Sequence, residues 1–201
     1  MNGKTWSITG LVHTLHERQF DFIVYDNFMD ILGKLLFSKK DNSSFFLNTN
    51  KADNWEDFFY MEKNRISISY CLEYYEKMMR FLKQKNPNVQ IIFINFPLMH
   101  KHESAKKRVQ EINEKYLQNE FLRKNTFFIP AGHIQPEYLM NDHHFQEHQG
   151  RNLYQDYASI VRVLMDKKYS HSQWNEFIKD KQNSLLDYAH QRFSLATSIT
   201  V

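Results

Sequence analysis

The chain has 201 residues, of which 42% are hydrophobic and 24% charged, and it carries a formal net charge of +3 with ten histidines counted neutral. That length supports one domain with a real core, and that composition excludes a disordered chain. A nucleic-acid stripe is excluded as well. Acidic and basic residues alternate in helical registers (Glu103, Lys106, Lys107, Glu111, Glu114, Lys115) and so form solvated faces.

Aromatics at 15%, beside only five Gly and four Pro, favour long helices and buried strands over a loop-rich all-β fold. The single cysteine, Cys71, falls in an apolar helical register and is expected to be a buried thiol. The opening "MNGKTWSITGLVHTLHERQ" lacks the continuous apolar core of a signal peptide. No run approaches the roughly 18 apolar residues of a membrane span. The expectation is a soluble protein of a reducing, cytoplasmic compartment.

In chain order, "GLVHTLHERQ" reads as a short helix, and "FDFIVY" over 20–25 as a buried strand ending in Asp26-Asn27. Residues 38–65 are polar, aromatic and turn-rich, and read as a surface excursion or lid with a short helix at 54–62. A helix follows with Ile68, Leu72, Tyr75, Met79 and Leu82 on one face, stopped by Asn86-Pro87. "VQIIFINFP", 89–97, is a continuous apolar run that suits a parallel strand covered on both faces. A helix over 103–122, a short strand at 126–130 and a helix over 149–166 come next. One or two further helices from 167 onward form an extension packed on the same domain.

Strands alternating with helices imply an α/β fold, a three-layer α/β/α sandwich around a short, mostly parallel sheet. Ligands of such sheets bind beyond the carboxyl ends of the strands. Asp26-Asn27, the stretch from Asn95 to His102, and the loop 131–148 should therefore meet at one edge.

The chemistry concentrates in "YLMNDHHFQEHQGRNLYQDYA", 138–158. A histidine acts as general base when one ring nitrogen reaches a hydroxyl and a polar side chain orients the other. His144 has Asp142 two positions before it and Asn141 three before. Phe145 is placed to wedge into the core, and Gly150 to start the helix. A metal site is the other use of these residues. His144 and His148 stand four apart, Asp142 and His143 are close by, and His100 and His102 offer more imidazole, a set suited to Zn or Fe. Trp55, Phe58, Phe59 and Tyr60 are placed either to stack on a ligand or to pack the excursion onto the core.

The block "NDHHFQEHQGRNLYQDYASIV" resembles the last block of the SGNH (GDSL-like) hydrolase superfamily, where a D-x-x-H turn precedes a final helix. "NPNVQIIFINFP", "NTFFIP" and "DFIVYDNFMD" resemble the strand phrases before it, so the resemblance covers roughly residues 10 to 166. Departures are plain. The family's acidic position is Asn141 here, the G-x-N-D turn is reduced to "YDNF", and no Gly-Asp-Ser block is present. "TWSITG" echoes that block and makes Ser7 the one nameable nucleophile, although only about a dozen residues separate it from the strand at Phe20, by the same count along the chain. The alternative alignment makes Gly10 an oxyanion glycine.

The resemblance implies an esterase or O-acyltransferase acting on an acylated carbohydrate or surface-polysaccharide precursor, with a glycan or small-molecule ester as partner and no cofactor. In it His144 is the base, Asp142 or Asn141 its orienter, and Ser7 the nucleophile. Gly10 and Asn27 are the oxyanion donors, and Asn95 a substrate-binding residue. A catalytically inactive module that binds a glycan or a protein is the alternative, and a metal-dependent hydrolase using the histidines a second one. A sheet edge left uncovered would invite a homodimer.

Overall fold

The computed structural model describes residues 18–28, 36–42, 44–45, 54–61, 66–97, 103–141 and 144–193. The expected helix ahead of Phe20 falls mainly outside them. Strands β1 (Phe22–Asp26), β5 (Gln90–Ile94) and β6 (Thr126–Ile129) form a parallel sheet in the order β1-β5-β6. Helix α2 (Ile68–Lys85) connects β1 to β5, and helices α3 (Glu103–Tyr116) and α4 (Glu120–Asn125) connect β5 to β6. Helices α5 (Leu153–Met165), α6 (His171–Lys179) and α7 (Leu185–Arg192) follow. The result is the expected α/β architecture, consistent with a three-layer sandwich.

Local signals explain these elements. Ser67 caps α2 by accepting the Tyr70 N–H, and the helix places Ile68, Cys71, Leu72, Tyr75, Met79 and Leu82 in the core. Strand β5 is central, so both its faces are covered: Ile91, Ile92 and Phe93 are fully buried. On one face Phe93 lies between Tyr75 of α2 and Tyr116 of α3, and Tyr116 stacks on Phe128 of β6 with ring centroids 4.3 Å apart. The buried Tyr116 hydroxyl is bonded to Thr126 Oγ1, which itself donates to the Leu122 carbonyl. An aromatic core is thus kept free of orphaned hydroxyls at this point.

The expected continuous helix over 103–122 is two helices. Asn119 interrupts it, because its side chain accepts the Leu122 N–H and caps α4 afresh. The excursion also differs from its reading. A short helix α1 (Trp55–Phe58) is followed at once by β4 (Phe59–Met61), which with β2 (Leu36–Ser38) and β3 (Ser44–Phe45) makes a small antiparallel sheet in the order β3-β2-β4. Tyr60 there stacks on Phe37 at 5.1 Å, whereas Phe58 stands exposed.

The C-terminal helices join the same core. Trp174 is fully buried and its indole N–H donates to the Phe128 carbonyl of β6 at 2.7 Å, while Ile178, Leu185, Leu186 and Ala189 belong to the same apolar cluster. No described helix is long and apolar enough to cross a membrane. On the opposite face from Phe128, Phe127 stacks on His171 at 4.3 Å. Burial first, and Lys83 second, hold the His171 imidazole below its ordinary value of 6.5. Its Nε2 is buried without a partner, so a protonated ring would carry a donor with no acceptor.

The unfolded chain therefore takes up a proton at this histidine before the folded chain does. The stability contributed by the neutral ring is complete above about pH 6.5 and falls as pH drops below it. Urea midpoints measured from about pH 7 to about pH 5 should decline in the native chain, and His171→Phe, which keeps the stack on Phe127, should flatten that decline.

Candidate functional site

The carboxyl ends of the three parallel strands are joined by side-chain amides. Asn27, one residue beyond β1, accepts the Phe96 backbone N–H at 2.7 Å and donates to Asn95 Oδ1 at 2.8 Å. Asn95, one residue beyond β5, donates to Asn113 Oδ1 at 2.8 Å and to the Val109 carbonyl at 2.9 Å. Asn113, on α3, donates to the Ala131 carbonyl at 2.8 Å and accepts the Ala131 N–H at 3.0 Å. Backbone groups terminate the relay at both ends, so the orientation of every amide is fixed. All three asparagines are buried. At the outer lip Asp26 Oδ1 accepts the Phe28 N–H at 3.0 Å, turning the chain sharply off β1.

Above this edge lies a row of rings: Phe28 against Phe96 at 5.0 Å, Phe96 against Phe145 at 6.0 Å, and Phe145 against Tyr154 at 5.1 Å. Phe145 is buried and anchors a hairpin-like loop. The Gln146 N–H bonds to the Tyr138 carbonyl and the Met140 N–H to the His144 carbonyl, with Leu139 and Phe145 bridged between them. The His144 side chain is exposed near the tip of this loop. Asn141 Oδ1 accepts the His144 backbone N–H at 3.0 Å and lies 3.0 Å from His144 Nδ1. The contact is a hydrogen bond in the neutral tautomer that carries the ring proton on Nδ1 and leaves Nε2 unprotonated. That is the tautomer a general base requires.

The expected residues are therefore distributed as follows. Asn141 and His144 are in contact. Asn27 and Asn95 occupy the same sheet edge, both buried. Both Asn95 amide hydrogens and one of the two on Asn27 are committed inside the protein. Ser7, Gly10 and Asp142 lie outside the described residues, as do His100, His102 and His143.

His148 does not share a helical face with His144. The segment between them is not helical, and His148 and Arg151 exchange backbone hydrogen bonds across Gln149 and Gly150. Both intervening residues have positive φ, 49° and 75°, so Gly150 serves a tight hairpin turn rather than a helix start. Helix α5 begins only at Leu153, capped by Asn152. Among the described residues no group of three or more His, Cys, Asp or Glu is placed to share a metal ion.

Sequence reasoning missed two residue groups. Asn113 sits between Val109 and Tyr116 on the apolar stripe of α3, and its amide was the available signal. The second group begins at Asp156, a buried carboxylate on α5. Arg151 Nε donates to its Oδ2 at 2.7 Å, and His190 Nδ1 lies 3.2 Å from its Oδ1. Arg151 Nη1 also donates to Asp187 at 2.7 Å, tying the turn to α7. The two hydrogen-bonded carboxylates hold the Arg151 guanidinium above its ordinary value, against the opposing effect of burial.

The fold and the site define a class: a parallel-sheet α/β protein whose polar side chains gather at the carboxyl edge of the sheet, roofed by a histidine-bearing hairpin. The sequence matches no protein-family model, and no curated protein and no solved structure is found similar to it.

The amide relay predicts a steep mutational contrast. Asn95→Leu, close in volume, strands the Asn27 N–H and removes the bond to Asn113, at a cost of about 3 kcal/mol or more. Asn141→Ala, at an exposed position, should cost less than about 1 kcal/mol. Equilibrium denaturation of both variants measures the difference.

Proposed function

We propose that the chain cleaves or transfers an acyl group held in ester linkage to a carbohydrate, as a member of the SGNH-like hydrolases, with His144 as general base. The single observation that carries this reading is the contact of His144 Nδ1 with Asn141 Oδ1 at 3.0 Å, beside the carboxyl edge of a parallel sheet. Nε2 takes the proton of a serine hydroxyl, Ser7 being the candidate, as its oxygen bonds to the ester carbonyl carbon. The imidazolium then returns that proton to the departing alcohol, and water or an acceptor sugar repeats the exchange on the acyl-enzyme. Backbone N–H of Gly10 and the remaining amide hydrogen of Asn27 are the candidate donors to the oxyanion. Asp142 adds a carboxylate next to Asn141 in the sequence.

A second reading, an inactive module that binds a glycan or a protein, is favoured by the neutral amide at the orienting position. An amide fixes the tautomer but adds no charge to stabilise the imidazolium.

A fluorophosphonate probe followed by mass mapping separates the two. The hydrolase reading predicts label on one serine, lost in His144→Ala. It also predicts labelling about tenfold faster in Asn141→Asp, since a charge-assisted hydrogen bond is roughly twice as strong as a neutral one. A folded protein that takes no label supports the binding module.

A further inference from the structure

A second polar site adjoins the His144 hairpin at Tyr138. It is a cavity of about 170 Å³ lined by His133, Gln135, Tyr138, Arg151, Asn183 and Asp187, among others. By the roughly 30 Å³ that a water occupies in the liquid, it holds about half a dozen waters. We infer that this cavity is a subsite for one neutral sugar ring of the substrate.

Three observations select that ligand class. Charge excludes an anion, because the Arg151 guanidinium is already matched by two carboxylates, Asp156 and Asp187, at 2.7 Å each. Polarity disfavours an acyl chain, since beside Ile134, Leu153 and Leu186 the wall carries amides, a phenol, an imidazole, a guanidinium and a carboxylate. What remains is a mixture of donors and acceptors. Gln135 and Asn183 present exposed amides, and the Asp187 carboxylate is largely exposed. A polyhydroxylated ring offers both functions at each hydroxyl and suits such a wall.

Tyr138 connects the two sites. Its side chain lines the cavity, and its carbonyl accepts the Gln146 N–H of the hairpin that carries His144, at 2.8 Å. A ring seated in the cavity therefore bears on the segment that presents the base. The inference rests on the proposed carbohydrate ester for its biological meaning, but binding itself needs neither His144 nor a nucleophile.

The test is a titration of the full chain, labelled with ¹⁵N, with methyl β-D-glucopyranoside and with methyl N-acetyl-β-D-glucosaminide, followed by amide resonances. Sodium sulfate and hexanoate serve as the anionic and acyl probes. Saturable shifts of Gln135, Tyr138, Asn183 and Asp187 with at least one glycoside are expected, at the weak affinity a single small ring provides. Asn183→Ala and Asp187→Asn, both at the exposed rim, should each weaken that affinity about fivefold, the worth of one hydrogen bond. His144→Ala should leave it unchanged. The inference is overturned if neither glycoside moves these resonances, if sulfate or hexanoate does so instead, or if both rim variants bind as the native chain does. Sugar binding by a protein that takes no fluorophosphonate label would retain the subsite and reject the hydrolase; label without sugar binding would do the reverse.

Discussion

Three buried side-chain amides fix the carboxyl edge of the parallel sheet. A strand that ends inside a protein leaves backbone groups that no ladder can satisfy, and each orphan buried from water costs free energy. Asn27 satisfies the Phe96 N–H, Asn113 satisfies both groups of Ala131, and Asn95 links the two. An apolar residue at any of these positions would bury at least one unmet donor. The relay thus sets where three chain segments leave the sheet, and the rings of Phe28, Phe96 and Phe145 pack on that fixed base.

The hairpin over this edge is held at several points. Phe145 is its apolar anchor, the backbone pairing of Tyr138 with Gln146 and of Met140 with His144 sets its width, and Asn141 closes its tip. Behind it, the Gln149-Gly150 turn returns the chain so that Arg151 meets Asp156 and Asp187. A buried carboxylate without a cationic partner would be costly, so the turn, the start of α5 and α7 stand or fall together. In the proposed reading, function belongs to loops carried on this rigid frame.

The sequence was most informative where one period dominates. The run from Gln90 to Ile94 and the stripe from Ile68 to Leu82 could only be a covered strand and an amphipathic helix, and both are. It was least informative where local side-chain bonding overrides periodicity. Asn119 recaps a helix whose apolar pattern continues through it, and Gln149-Gly150 makes a hairpin where a helix start was expected. At the site, the edge was legible from topology and the Asn141–His144 spacing from the turn. The asparagine roles were not. A polar residue in an apolar stripe, such as Asn113 or Asp156, declares a buried partner without naming it; the partners lie 18 residues from Asn113, and 5 and 34 residues from Asp156.

If the three amides act as one unit, a double-mutant cycle on Asn27→Ala and Asn113→Ala will show it in the unfolding free energy. These two side chains are joined through Asn95. A cooperative relay predicts a coupling energy of about 1 kcal/mol or more in unfolding free energy. Effects that add to within about 0.5 kcal/mol would contradict it and reduce the relay to independent contacts.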